Sequence, residues 1–274
     1  MFGILLVSAG IALAQEGPAA APDSLSDVFS TDASVQPLAA STATSGFQYT
    51  VAHFPFGGGW STTVMAANSG TANATVKVAF LNQAGASASV PLAGQGSKSN
   101  FSFTLEPNDV KVIAADPTKR TSQDLTVAWA TISSNVALNV FSLFDLGPNP
   151  PAITGAVGAQ STPPAKSFRF PVSVGGTVGF DAGMALANPN SKTANVTVKV
   201  LKSDGSPFGS FNETLQANNQ TILTLKGQSS LSFGSGLFTG SVAVCSDQPI
   251  GLVTVGFEGG QAFFSTSVTN DPCP

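Results

Sequence analysis

The chain repeats itself at an offset near 120 residues, and this internal similarity limits its fold more than any other feature. Trp60 to Asn68 reads WSTTVMAAN and Phe180 to Asn188 reads FDAGMALAN, so an aromatic opens each segment and an Ala-Asn pair closes it. Downstream, Thr71 to Val78 (TANATVKV) and Thr193 to Val200 (TANVTVKV) agree at seven of eight positions if the intervening turns differ by two residues. Thr104-Leu105 with Asn108 answers to Thr214-Leu215 with Asn218, Ser134 to Leu138 answers to Asp247 to Leu252, and AITGAV from Ala152 answers to AFFSTS from Ala262. A duplicated unit of this size is large enough to close over its own core.

Within each copy the apolar residues alternate. Phe168, Phe170, Val172 and Val174 share one face of an extended segment, as do Val196, Val198 and Val200, with Thr197 and Lys199 on the other. A period of two predicts half-buried strands. Such runs cover 47–53, 60–67, 74–81, 99–105, 109–114, 125–132, 136–144 and 152–158, with counterparts to residue 268. Turn signals separate them, among them Asn68-Ser69-Gly70, Asn188-Pro189-Asn190 and Asp204-Gly205. The chain is therefore expected to be all-β: two tandem immunoglobulin-like antiparallel β-sandwich domains of seven to eight strands each, over 47–159 and 168–274. Residues 160–167 (QSTPPAKS) read as a linker, and residues 15–46 as a flexible arm rich in Ala, Ser, Thr and Pro.

Residues 1–14, MFGILLVSAGIALA, form a short apolar run closed by a small-x-small triplet, which predicts a signal peptide of the Sec type cut after Ala14. The missing Lys or Arg near Met1 departs from that pattern. The run is shorter than the roughly 20 residues a spanning helix needs, so no membrane span is expected after cleavage. An extracellular, periplasmic or outer-envelope location follows. The two cysteines, Cys245 and Cys273, both fall in the second copy and predict a disulfide in such an oxidising compartment. Charged residues are only 9% of the chain, and its 15 acidic and 11 basic residues are scattered. No basic run could neutralise a row of phosphates, so nucleic acid is excluded as a partner.

The pieces GGGWSTTVMAAN, TANATVKV and SDQPIGLVTV resemble a tandem immunoglobulin-like repeat of exported bacterial proteins. More loosely, an Asn-Pro or Asn-Ser-Gly turn followed by a valine-rich strand is similar to bacterial cell-adhesion-related domains. The resemblance spans about residues 47 to 270 and rests on turns and strands. It implies an extracellular or envelope role in binding or display, and it carries over no catalytic residues.

Candidate chemistry is sparse. The single histidine, His53, lacks the partners that a triad or a zinc site requires, and reads as a hydrogen-bonded turn residue. Gly57-Gly58-Gly59 lacks the Lys-Ser/Thr ending of a phosphate loop. Glu106 and Asp109 share one turn, whereas glycosidase carboxylates face each other across a cleft. Asp204 and Asp181 lack the clustered oxygens of a calcium site. No catalytic residue, metal or cofactor is expected, and the chain reads as a non-enzymatic module for adhesion, matrix or structural display, with a cell-surface protein or polysaccharide as partner. The alternative is a carbohydrate-binding module in which Tyr49, His53, Phe54, Phe56 and Trp60 form an exposed aromatic platform for sugar rings. A secreted hydrolase is a third, disfavoured reading.

Overall fold

A computed structural model describes residues 46–121, 123–147, 155–259 and 261–265, with residues 268 and 273. The expected signal peptide and nearly all of the expected arm lie outside the described residues. The first half contains β1 (Phe47–Phe56), β2 (Trp60–Ala67), β3 (Ala74–Asn82), β4 (Val90–Leu92), β5 (Gly96–Lys98), β6 (Asn100–Leu105), β7 (Val110–Ala114), β8 (Thr126–Ser134), β9 (Asn139–Leu146) and β10 (Gly155–Ser161). The second half contains β11 (Ala165–Gly175), β12 (Asp181–Ala187), β13 (Ala194–Lys202), β14 (Pro207–Leu215), β15 (Gln220–Thr224), β16 (Leu237–Glu258) and β17 (Gln261–Ser265). The described residues are almost wholly β and every strand pairing is antiparallel. No helix among them is long and apolar enough to cross a membrane.

Two four-stranded sheets, ordered β1-β8-β3-β6 and β10-β9-β2-β7, face each other in the first half. Alternation places the side chains: on β3, Val76, Val78 and Phe80 are buried while Thr75 and Lys77 are exposed. These valines meet Val64, Ile113 and Val140 of the facing sheet in one core. In the second half β11 and β13 flank the first part of β16, as β1 and β3 flank β8. After Pro249 the same strand pairs with β12 and β17, as β9 pairs with β2 and β10. One unbroken strand thus serves both layers, the kind of corner by which strands switch sheets. A second core gathers around Phe168, Phe170, Met184, Val198 and Val244.

Register revises the sequence alignment. Ala74 pairs with Leu105 and Ala194 with Leu215, so equivalent residues of β3 and β13 stand 120 apart and the two turns are equally long. The seven-of-eight match sits two residues out of structural register. Two residues are one full strand period, so the valines keep to the core face either way. The expected linker is also mostly strand, because Gln160 and Ser161 finish β10 and Ala165 already starts β11.

The turns are equal because one buried side chain builds each. The Asn68 amide nitrogen donates to the carbonyls of Ala72 (2.9 Å), Leu105 (3.1 Å) and Glu106 (3.1 Å), and its Oδ1 accepts from the Gly70 N–H (3.0 Å). Asn188 repeats this with Lys192 (2.8 Å), Leu215 (3.0 Å), Gln216 (2.9 Å) and the Asn190 N–H (3.0 Å). Three carbonyls gathered on one side identify that side as the nitrogen, and its two hydrogens are shared among them. Each amide ties the strand leaving one sheet to the turn that closes the other.

Replacing Asn68 or Asn188 by Ala strands buried carbonyls and is expected to cost about 2–4 kcal/mol in urea unfolding. Asn68→Asp is expected to be no milder, since a carboxylate has no hydrogen to donate. A change under about 0.5 kcal/mol, the size of an ordinary surface substitution, would contradict the assignment.

Candidate functional site

The aromatic segment at residues 47–60 folds mostly inward. Tyr49, Phe54 and Phe56 are buried, with the Phe54 ring edge-on to Phe80 at 5.1 Å. The Tyr49 hydroxyl accepts a hydrogen bond from the Leu138 N–H (2.7 Å), and burial pushes its pKa up. Trp60 is half-buried against a third apolar cluster. An exposed platform built from these five residues is therefore corrected: one bulge after Val51 brings Phe54 and Phe56 to the same core face of β1 as Tyr49, although Tyr49 and Phe54 are five residues apart.

His53 occupies a bulge. The register of β1 on β8 shifts between Val51 and Phe54, whereas β11 runs on β16 without a break from Ser167 to Gly175. Ala52 and His53 together thus stand opposite the single residue Trp129, where Pro171 alone pairs with Ser241, and bulges of this kind re-aim an edge strand. Its ring lies 5.5 Å from Phe144, and its Nδ1 is enclosed without a hydrogen-bond partner. This replaces the expected hydrogen-bonded turn histidine. Burial penalises the charged imidazolium and lowers the pKa to about 4.

The glycine loop has its donors engaged. Gly57 and Trp60 exchange backbone hydrogen bonds, Gly58 N–H donates to Gln123 and Gly59 N–H donates to Arg120. All three glycines have left-handed φ, and a Cβ on Gly57 would run into the Asp124 carbonyl. Beyond the loop, the buried Arg120 forms an ion pair with the buried Asp145 of β9, and desolvation lowers the arginine pKa. Sequence reasoning missed this pair, although a carboxylate inside the apolar run FSLFDL is a signal in a chain so poor in charge. Breaking such a pair leaves an uncompensated buried charge.

The bulge faces the second half. The Ala52 carbonyl accepts from Gln220 Nε2 (3.1 Å), and the Gln220 N–H donates to the Gln83 carbonyl (3.0 Å). Gly85 seats on Asn218, and a Cβ on Gly251 would strike Thr50. The third apolar cluster unites Ala52, Trp129, Phe144, Val157 and Ala159 with Ala185, Ala187 and Val253. Trp129 also donates from Nε1 to the Asn82 carbonyl (3.0 Å). These hydrogen bonds and apolar contacts join the two halves.

The remaining candidates are structural. Glu106 and Asp109 are exposed in one turn, where Asp109 Oδ2 accepts from the Glu106 N–H (3.3 Å). Asp204 caps the Ser206 N–H (2.8 Å), and bonds from Ser206 lower its pKa. Asp181 accepts from the Ala182 and Lys226 N–H groups. Among the described residues no group of three His, Cys, Asp or Glu side chains is placed to hold a metal. Cys245 of β16 is bonded to Cys273, with Cα atoms 5.8 Å apart. Closing a loop of that sequence separation contributes roughly 3–4 kcal/mol by unfolded-chain entropy. Compared with known proteins, the chain matches no family model, no curated protein and no solved structure.

The half-buried imidazole, with its Nδ1 enclosed, makes stability depend on pH. Between about pH 6.5 and 4 the unfolded chain binds a proton at His53 that the folded chain does not, so stability is full above this window and falls as pH drops through it. The loss is expected to approach roughly 3 kcal/mol in urea titrations and to vanish in His53→Phe. An unchanged pH profile in that variant would contradict the burial. Asp116, Asp204 and Asp247, with lowered pKa values, lose their contributions only at lower pH.

Proposed function

We propose that the chain is a secreted or cell-envelope module without enzymatic activity, acting in adhesion, matrix or structural display, and built as two tandem immunoglobulin-like sandwiches. The observation that carries this reading is the repeated frame. The order β1-β8-β3-β6 has its parallel in β11, the first part of β16, β13 and β14, and each half is tied by the same asparagine. Asp109 and Asp204 are engaged in turns, Arg120 and Asp145 in an ion pair, and Gln220 in the joint. What the surface offers is strand edges and apolar side chains such as Val110, Val112 and Phe141. Spacing and display need a stiff body with two usable ends, and the shared apolar cluster supplies the stiffness.

Export is supported by the apolar run at residues 1–14 and by the Cys245–Cys273 bond, since such bonds persist in oxidising compartments. Cells producing the chain from Met1 are to be fractionated and treated with protease while intact. The expected outcome is a protease-accessible envelope or medium fraction that starts at Gln15 and is oxidised at both cysteines. A reduced cytoplasmic pool with an uncut N-terminus would contradict the reading.

A further inference from the structure

The joint between the halves has a knob and a socket, and each has an unused twin elsewhere in the chain. The knob is the turn Asn82–Ala86, closed by Asn82 N–H to Ala86 O (2.8 Å) and Gly85 N–H to Asn82 O (3.0 Å). Its twin, Lys202–Ser206, is closed by Lys202 N–H to Ser206 O (2.8 Å) and Gly205 N–H to Lys202 O (2.9 Å). Gly85 and Gly205 share a left-handed backbone, with φ of 84° and 82°. Gly85 presses on Asn218, whereas a Cβ at Gly205 would meet nothing within 4 Å.

The socket is the turn ending at Asn219, followed by Gln220 and the outward side chains of β12 and β16. Its twin is the turn ending at Asp109, followed by Val110. Both turns are closed by a 3.1 Å bond, Asn219 N–H to Gln216 O and Asp109 N–H to Glu106 O, and both hold an asparagine in the left-handed region, Asn218 at 59° and Asn108 at 67°. Strand register makes Val110 the counterpart of Gln220 and Phe141 the counterpart of Val253. Gln220 and Val253 are 5% and 3% exposed under the first half, while Val110 and Phe141 are 57% and 38% exposed.

We propose that a second copy of this chain fills the free socket, the Lys202–Ser206 turn of one molecule seating on the Asn108 turn and the Val110 and Phe141 surface of the next. This rests on the proposed role in matrix or display and names the partner for it. The internal joint pairs a bulged strand, which presents the Ala52 carbonyl, with the Gln220 amide. Both features are absent from the outer surfaces together: β11 has no bulge at that point, and an apolar Val110 stands where Gln220 would. The outer pair is apolar at Val110 and Phe141, and on the knob face Arg169 and Lys199 stand where Thr50 and Ala79 do at the joint. It is also weaker, because Ser241 occupies the position of the buried Trp129. A contact between different surfaces of like molecules does not close on itself unless its rotation permits, so the product is a reversible head-to-tail string.

Sedimentation of the purified full chain over a concentration series tests this. The expected weight-average mass rises past that of a dimer without a plateau. A socket variant, Val110→Asp with Phe141→Asp, and a knob variant carrying a four-residue insertion between Ser203 and Asp204 are each expected to stay monomeric with an unchanged β spectrum. Their equimolar mixture is expected to double in mass and stop there, since one live knob and one live socket remain. If the aspartates unfold the socket variant, Val110→Thr with Phe141→Ser takes its place. A wild-type chain monomeric up to its solubility limit, a closed dimer untouched by the insertion, or a mixture that stays monomeric would each overturn the proposal. Failure here with the chain still exposed on cells strikes the self-association alone, whereas a cytoplasmic location strikes the proposed function itself.

Discussion

Two buried asparagine amides hold the frame. Asn68 and Asn188 each gather three main-chain carbonyls and one N–H at the point where a strand of one sheet hands over to the other. Carbonyls left in that position without a donor would carry a full desolvation penalty, so the amide, and not the surrounding turn sequence, decides the length of the turn. The residues between differ, Ser-Gly-Thr in one half and Pro-Asn-Ser in the other, yet the acceptors fall at equivalent places. From those two anchors the registers of β3 on β6 and of β13 on β14 follow, and with them the alternation that fills each core.

The copies diverge where they meet. Phe144 and Trp129 of the first half have Gly256 and Ser241 as structural counterparts, and the first half alone carries the bulge at Ala52 and His53. Large side chains that a self-contained sandwich would turn to its own centre instead reach a cluster completed by Ala185, Ala187 and Val253. The small residues on β12 allow that close approach. A fully buried apolar side chain of this size contributes about 1.5–3 kcal/mol, so the joint is comparable to a piece of core. The second half is secured at its other end by the Cys245–Cys273 bond.

Much of this was legible in the residues. Alternation marks nearly every long strand, the repeat announces a common frame, and the two cysteines are bonded to each other as their pairing in one copy suggests. Other features were hidden for physical reasons. A slip of two residues preserves every inward valine of β13, so similarity alone could not choose the register. The bulge at His53 changes one residue in a run that still reads as aromatic alternation, which is why Tyr49, Phe54 and Phe56 suggested a surface and proved to be core. Gln220 sits in the polar run Asn218-Asn219-Gln220-Thr221, and nothing local says that its amide reaches Ala52 across the joint. Long-range contacts of that kind depend on how faces are apposed, and a strand pattern reports only which face is apolar.

Each half has its own core, and the third apolar cluster shared between them makes the two one cooperative body. Both tryptophans, Trp60 and Trp129, belong to the first half, so their fluorescence follows that half while circular dichroism follows strands throughout. Urea unfolding of the oxidised chain, recorded by both probes, tests the claim directly. One coincident transition is expected. Two separated transitions, with the tryptophan signal leaving the dichroism behind, would contradict it.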